Sequence, residues 1–217
     1  MGLTLEISSI YKSYDGKPVL QDCSFPFEKT GTYVLMGSNG CGKSTLFRIC
    51  ASLEEPDKGE VNYLSGGILI EKNMNLRRRI TLLLPKVGVF NTTVFKNVAY
   101  GLTIRGISKD EITERVVNAL DFVGLVHKKN QKALTLSSGE MQRLGIARAM
   151  VIEPEILFLD EPTASVDQEN TKIIEDIILR MKKMGKSIVI ITTHDINQAK
   201  RLADCLLFIK DGRIVTS

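Results

Sequence analysis

Apolar residues recur first at every second position along this chain and later at every third or fourth. Leu3, Leu5 and Ile7 alternate with polar neighbours, the period of a half-buried strand. A turn signal follows at Asp15–Pro18 (DGKP), and VLQDCSFPF and TYVLMG predict two more strands, the second short and apolar. The segment GSNGCGKSTLFRIC reads as a Gly-rich loop running into a helix. EEPDKGEVNYLSGG is turn-rich with one short strand inside, and RITLLL, from Arg79 to Leu84, predicts another strand. From Phe95 to Leu125 the period becomes helical. SKDEITERVVNALDFVGL opens on Ser108, with Glu111 three residues on as a capping box, and closes near Gly124. In LTLSSGEMQRLGIARAM and the residue after it, Met141, Leu144, Ala147 and Val151 keep helical spacing, and that helix stops before Pro154. EILFLDEP and SIVIITTH are apolar runs of buried-strand length, each ending in polar residues. TKIIEDIILRMKKMG and DINQAKRLA predict helices, and CLLFIKDGRIVTS a closing hairpin.

Strands that alternate with helices in the second half imply parallel pairing through crossovers. The pattern therefore predicts an α/β chain with a mainly parallel sheet, an antiparallel layer near the N-terminus and an all-helical insert. The predicted division is a core of residues 1–84 and 145–217, interrupted by a helical segment at 85–144. At 217 residues, 43% hydrophobic and 25% charged, the chain is long enough for one compact domain with such an insert. The net charge of +4 is too mild to argue for a nucleic-acid partner, and the densest basic runs, Arg77–Arg79 and Lys128–Lys129, read as solvated faces. No apolar run reaches the ~18 residues of a membrane span. The first ten residues lack the basic and apolar regions of a secretory leader. Cys23, Cys41, Cys50 and Cys205 lack metal-type spacing, so reduced cytosolic thiols are expected.

Two places look built for an anion. Gly37-Ser38-Asn39-Gly40-Cys41-Gly42-Lys43-Ser44 matches G-x-x-x-x-G-K-[ST] without a gap, and Thr45 continues the helix. The glycines let backbone N–H groups close around phosphates, Lys43 reaches the β- and γ-phosphates, and the Ser44 hydroxyl ligates Mg²⁺. A P-loop needs an acid at the end of a neighbouring strand, and ILFLDEP supplies Asp160 for Mg²⁺. Glu161, next to it, is placed as the base that activates water. His194 ends the next buried strand, where open α/β sheets bind ligands, and is expected to contact the γ-phosphate. The second place is Ser137-Ser138-Gly139 at the start of a helix, whose unpaired N–H groups also suit phosphate.

In that order, GSNGCGKST, LSSGE, LFLDEP, SVD and TTH resemble the ATP-binding subunit of ABC transporters over nearly the whole chain. The resemblance implies a P-loop ATPase with ATP and Mg²⁺ as cofactors. It also explains the two anion sites. The signature residues Ser137, Ser138, Gly139 and Glu140 would bind the γ-phosphate of ATP held by a second copy, in an ATP-dependent head-to-tail homodimer. Tyr14 takes the position of the aromatic that stacks on adenine. Asp167 resembles the loop that crosses the dimer seam, Glu161 the catalytic glutamate and His194 the switch histidine.

Two departures from the family pattern, at three positions, stand out. Ser138 and Glu140 replace a glycine and a glutamine of the usual signature, with little functional loss expected. After RITLLL the family carries a glutamine, and here Pro85 stands in its place, within LLLPKVGVF. With no membrane span of its own, the chain is expected to serve a separate permease from the cytoplasmic face, without direct membrane insertion and without nucleic acid. NVAYGLTIRGIS resembles the insert of importers for anions and small solutes, and HDINQAKRLAD looks most like tungstate or molybdate importer subunits. Polar amino acids and other ions remain open. The chain ends soon after DGRI, which implies no extra regulatory domain. The rival readings are a non-transport ABC ATPase and a slowly hydrolysing ATP-dependent switch.

Overall fold

The structure, a computed structural model, describes residues 2–216. The strands are β1 (Leu3–Tyr14), β2 (Lys17–Phe27), β3 (Gly31–Met36), β4 (Lys58–Ser65), β5 (Ile68–Leu69), β6 (Ile80–Leu83), β7 (Ile156–Asp160), β8 (Ile188–Thr193), β9 (Cys205–Lys210) and β10 (Arg213–Thr216). The helices are α1 (Lys43–Cys50), α2 (Met74–Arg77), α3 (Val94–Thr103), α4 (Lys109–Phe122), α5 (Ser138–Met150), α6 (Gln168–Met184) and α7 (Ile196–Leu202). Two compact units emerge: Met1–Leu82 with Glu155–Glu161 and Met181–Ser217, and Leu83–Pro154 with Pro162–Arg180.

The first unit holds two sheets. An antiparallel sheet has the order β2-β1-β4-β5, and a six-stranded sheet has the order β10-β9-β3-β8-β7-β6. In the larger sheet β3 pairs in parallel with β8 and β9, and β7 in parallel with β8. Covered on both faces, parallel strands must be apolar throughout, and every residue of β7 and β8 is indeed buried. In β1 the alternation slips. Leu3, Leu5, Ile7 and then Ile10 are buried, because the register with β2 shifts between Ile7 and Ile10 at Ser9, whose φ is 48°. An extra residue in one strand restores the inward face after a bulge. Gly59, at φ 91°, lies so close to the Ser9 carbonyl that a Cβ there would overlap it.

One apolar core joins the two sheets of this unit, including Leu5, Ile7, Phe27, Leu46, Phe47, Tyr63, Phe158, Ile190 and Leu207. Phe47 of α1 meets Phe158 of β7 edge-on, with ring centroids 5.1 Å apart, which sets the P-loop helix against the strand ending in Asp160.

In the second unit α3, α4 and α5 pack on one another around Val98, Leu102, Val116, Leu120 and Leu144. This unit reaches beyond the predicted 85–144 insert, since it takes in all of α5 and most of α6. Residues 84–93 are not helical. Pro85 biases Leu84 away from helix, and the buried Asn97 side chain braces the loop, accepting from Phe90 N–H at 2.9 Å and donating to the carbonyls of Phe90 and Thr93 at 3.1 and 3.0 Å. At Ser108 only half the expected capping box forms. Its hydroxyl accepts from Glu111 N–H at 3.4 Å, while the Glu111 carboxylate pairs with Arg115 one turn on at 3.1 Å. Among the described residues no helix is long and apolar enough to cross a membrane.

Candidate functional site

Strand register aligns the chemistry in the first unit. Met36 of β3 faces Thr193 of β8, and Asp160 of β7 faces Thr192. Gly37, Glu161 and His194 therefore all follow the same carboxyl edge of the sheet, where open α/β sheets bind ligands. The loop from Gly37 to Gly42 turns the chain from β3 into α1. A Cβ on Gly37 would sit 2.5 Å from Cys41 Sγ and 3.0 Å from the Ile209 carbonyl, so only glycine fits. Gly42 takes the left-handed conformation, φ 105°, as N-cap of α1. The first main-chain bond of the helix ladder at this end runs from Leu46 N–H to the Gly42 carbonyl at 2.9 Å. The first-turn amides of Lys43, Ser44 and Thr45 lie ahead of that ladder, as helix geometry requires.

Lys43 is buried, and its ammonium donates to the carbonyls of Gly37 and Ser38 at 2.9 and 3.1 Å. It also lies 3.6 Å from Glu161 Oε1, and His194 Nδ1 lies 3.8 Å from Glu161 Oε2. The His194 side chain is 63% exposed, open to an incoming group. Asp160 is buried. Its Oδ1 accepts from the Thr192 hydroxyl at 2.6 Å, and the same hydroxyl oxygen accepts from Glu161 N–H at 2.8 Å. Glu161 has φ 46°, a conformation few non-glycine residues adopt and one that clusters at functional sites. Thr192 lies within the TTH run, but only the parallel register reveals its bridge between Asp160 and Glu161.

Tyr14 ends β1 and is partly exposed. Its hydroxyl donates to Glu54 Oε1 at 2.6 Å and accepts from Arg48 Nη2 at 3.2 Å, and Arg48 Nε donates to Glu54 Oε2 at 3.0 Å. Burial opposes ionisation of Glu54, but hydrogen bonds from Tyr14, Arg48 and Lys12 outweigh it and hold the carboxyl below its ordinary range. Since Arg48 belongs to α1, the ring is tied to the helix that begins at the P-loop.

In the second unit Ser137 is the N-cap of α5, with Ser138, Gly139 and Glu140 in the first turn. The capping box half-formed at Ser108 is complete here. Glu140 N–H donates to Ser137 Oγ at 3.3 Å, and Ser137 N–H donates to Glu140 Oε2 at 3.0 Å. Glu140 Oε1 pairs with Lys128 Nζ at 2.5 Å, so Lys128 is not the solvated charge its basic run predicts. Asp167, just before α6, accepts from the backbone and side-chain N–H groups of Asn170, and these bonds hold its carboxyl below the ordinary range. Asn170 in turn lies against Gly139, where a Cβ would come within 2.2 Å of Asn170 Cγ. The pattern offered no hint of that contact.

The family model described as ABC transporter matches residues 20–164, from β2 through the Asp160–Glu161 edge. The chain belongs to the ABC transporter family. Over 212 residues it is 38% identical to the tungstate uptake system ATP-binding protein TupC of Peptoclostridium acidaminophilum, covering 98% of this chain and 97% of that one. It is 34% identical over 223 residues to the phosphate import ATP-binding protein PstB 2 of Natronomonas pharaonis, covering 97% of this chain and 78% of that one. Among solved structures, cbiO1 from Clostridium perfringens, part of the ABC transporter complex cbiONQ, superposes with a TM-score of 0.87 at 31% identity, covering 99% of this chain and 88% of that one.

As an ABC transporter ATP-binding subunit the chain is an ATPase, and the first unit fits its nucleotide. A Gly-rich loop, a buried ammonium bonded to the loop's own carbonyls and a helix N-terminus offer donors that suit a triphosphate. A buried carboxylate held by a threonine suits a hard cation, and Mg²⁺ asks for only one or two protein oxygens beside those of phosphate and water. Ser44 and Asp160 would supply them.

Proposed function

We propose that this chain is the energy-supplying subunit of an importer for a small anion such as tungstate or molybdate. It binds MgATP between two copies of itself and works at the cytoplasmic face of a separate membrane permease. Gly37–Thr45 hold the triphosphate and Tyr14 stacks on the base. Ser44 and Asp160 ligate Mg²⁺, Glu161 orients the attacking water and His194 contacts the γ-phosphate. Ser137–Glu140 of one copy close on the ATP of the other, with Asp167 at the seam.

The observation that carries the catalytic part is Glu161 lying within 4 Å of both Lys43 and His194, beside the buried Asp160. A carboxylate so placed can accept a proton from water as it attacks. Glu161→Gln keeps the shape and loses the base, so ATP binding should persist while turnover falls below detection. Wild-type turnover in that variant would sink the assignment. The substrate reading is supported by the near-full-length likeness to a tungstate uptake protein. In membranes containing the permease and its solute-binding protein, tungstate or molybdate should stimulate ATP hydrolysis, and phosphate or spermidine should not. Stimulation by phosphate alone would replace the substrate named here.

A second reading, a slowly hydrolysing switch, draws on Pro85 in the place of the family's glutamine. It predicts nucleotide binding with slow turnover and no stimulation by any permease.

A further inference from the structure

The signature helix carries a full negative charge at the end read above as receiving a phosphate. Glu140 lies in the first turn of α5, where a carboxylate favours the helix but repels a second anion arriving at the same N-terminus. Both its oxygens are occupied. Oε2 accepts from Ser137 N–H at 3.0 Å, and Oε1 meets Lys128 Nζ at 2.5 Å. The hydrogen bond from Lys128 is the main reason the Glu140 carboxyl stays below its ordinary range.

Lys128 is itself held in place. It ends a short 3₁₀ turn, Val126–Lys128, with its N–H bonded to the Leu125 carbonyl at 2.9 Å and its own carbonyl accepting from Gln131 N–H at 2.9 Å. The residues around it are pinned to the start of α3 by bonds from Phe95 N–H to the Lys129 carbonyl and from Val94 N–H to the Gln131 carbonyl, each 2.9 Å. Its ammonium is thus delivered to Glu140 by backbone structure on a separate segment.

We propose that Lys128 is a positioning residue for trans nucleotide binding: by neutralising Glu140 within the capping box, it lets a signature containing a carboxylate accept the triphosphate of a second copy. The proposal rests on the reading of Ser137–Glu140 as the trans contact. A purely structural ion pair would stabilise the fold without touching dimer affinity, and a lysine that itself held the phosphate would matter whatever stood at position 140. Neutralisation alone makes the effect of Lys128 depend on the charge of residue 140.

The test is a double-mutant cycle on the full chain. Sedimentation velocity with Mg²⁺ and a slowly hydrolysed ATP analogue reads the dimer dissociation constant, and the same analogue titrated at concentrations below dimerisation reads cis affinity. Lys128→Met should weaken the dimer by roughly five- to tenfold, the scale of a charge at a helix terminus, with cis affinity unchanged. Glu140→Gln should dimerise at least as well as the parent, and Glu140→Gln combined with Lys128→Met should match the parent. Lys128→Arg should restore the dimer, and Lys129→Met, the same charge change on an exposed neighbour, should have no effect. If Lys128→Met weakens the Glu140→Gln dimer just as strongly, lysine contacts the nucleotide directly and the inference falls. Equal losses in Lys128→Met and Lys129→Met, or no loss in either, overturn it too. Ser137→Arg separates the underlying reading: a normal ATP-dependent dimer in that variant, or no such dimer in the parent, removes the trans role of the signature itself.

Discussion

At the scale of single residues, the site depends on a hydroxyl whose partners the TTH run does not reveal. Thr192 joins the Asp160 carboxylate to the backbone of the proposed base through bonds of 2.6 and 2.8 Å. Thr192→Val keeps the β-branched shape but deprives buried Asp160 and the Glu161 amide of this partner, a loss worth roughly 1–3 kcal/mol. If, as proposed, Asp160 and Glu161 act on the cation and the water rather than on the base of the nucleotide, the loss should appear in kcat, by about tenfold, ~1.4 kcal/mol of barrier, with KM for ATP nearly constant. Steady-state ATPase assays decide it, and an unchanged kcat would remove Thr192 from the machinery. The proposed role of Pro85, in the place of the family's glutamine, concerns the same step from the opposite direction. Proline offers neither a side-chain ligand nor an N–H, and the ammonium of the adjacent Lys86 can only donate. Water, which Mg²⁺ readily retains, would replace the missing amide with poorer positioning. Pro85→Gln should therefore raise kcat by about tenfold, ~1.4 kcal/mol, and lower the Mg²⁺ concentration for half-maximal rate. Superimposable rate curves against Mg²⁺ would make Pro85 a neutral replacement.

Between elements, a few polar bonds fasten the two sheets of the first unit outside their shared core. Glu155, just ahead of β7, accepts from Leu3 N–H of β1 at 2.8 Å and from Arg79 Nε and Nη2, just ahead of β6, at 2.5 and 2.9 Å. Elsewhere the Gly212 carbonyl, in the turn between β9 and β10, accepts from Gln21 N–H and Cys23 Sγ of β2 at 2.8 and 2.9 Å. Hydrogen bonds from Arg79, opposed by partial burial, hold the Glu155 carboxyl below its ordinary range. A depressed folded-state pKa adds stability above the ordinary glutamate value, about 4.3, and that stability is lost as pH falls through the depressed value. Glu155→Gln should thus melt below wild type at neutral pH, with the difference in Tm closing below about pH 4. Thermal melts of both proteins across that range check it, and a gap that stays constant with pH would show that the charge of Glu155 contributes nothing.

For the whole molecule the proposed function turns on assembly. In the proposed dimer the P-loop of one copy and the signature helix of the other would close on one ATP, whose anionic triphosphate bridges the two. The isolated chain should be largely monomeric and dimerise with ATP and Mg²⁺. Ser137→Arg, which crowds the α5 N-cap, should block the dimer and leave nucleotide affinity intact. Size exclusion with and without MgATP reads both, and equal dimer content under the two conditions would count against ATP as the bridge.

Much of this was legible before any coordinates. The strand and helix periods, the ungapped P-loop, the acid pair after an apolar run and the ordered set of motifs all depend on residues close together in the chain, where spacing alone dictates geometry. Gly37 to Thr45 form a phosphate loop because nine consecutive residues suffice to build one. What spacing could not reach were relations between distant segments. Thr192 bridges Asp160 and Glu161 across a parallel register, and Tyr14 is bound to Arg48 and Glu54. Lys128 answers Glu140 rather than solvent. Each is a choice among several partners of equal local merit, and only packing, which fixes which polar groups meet out of water, makes it.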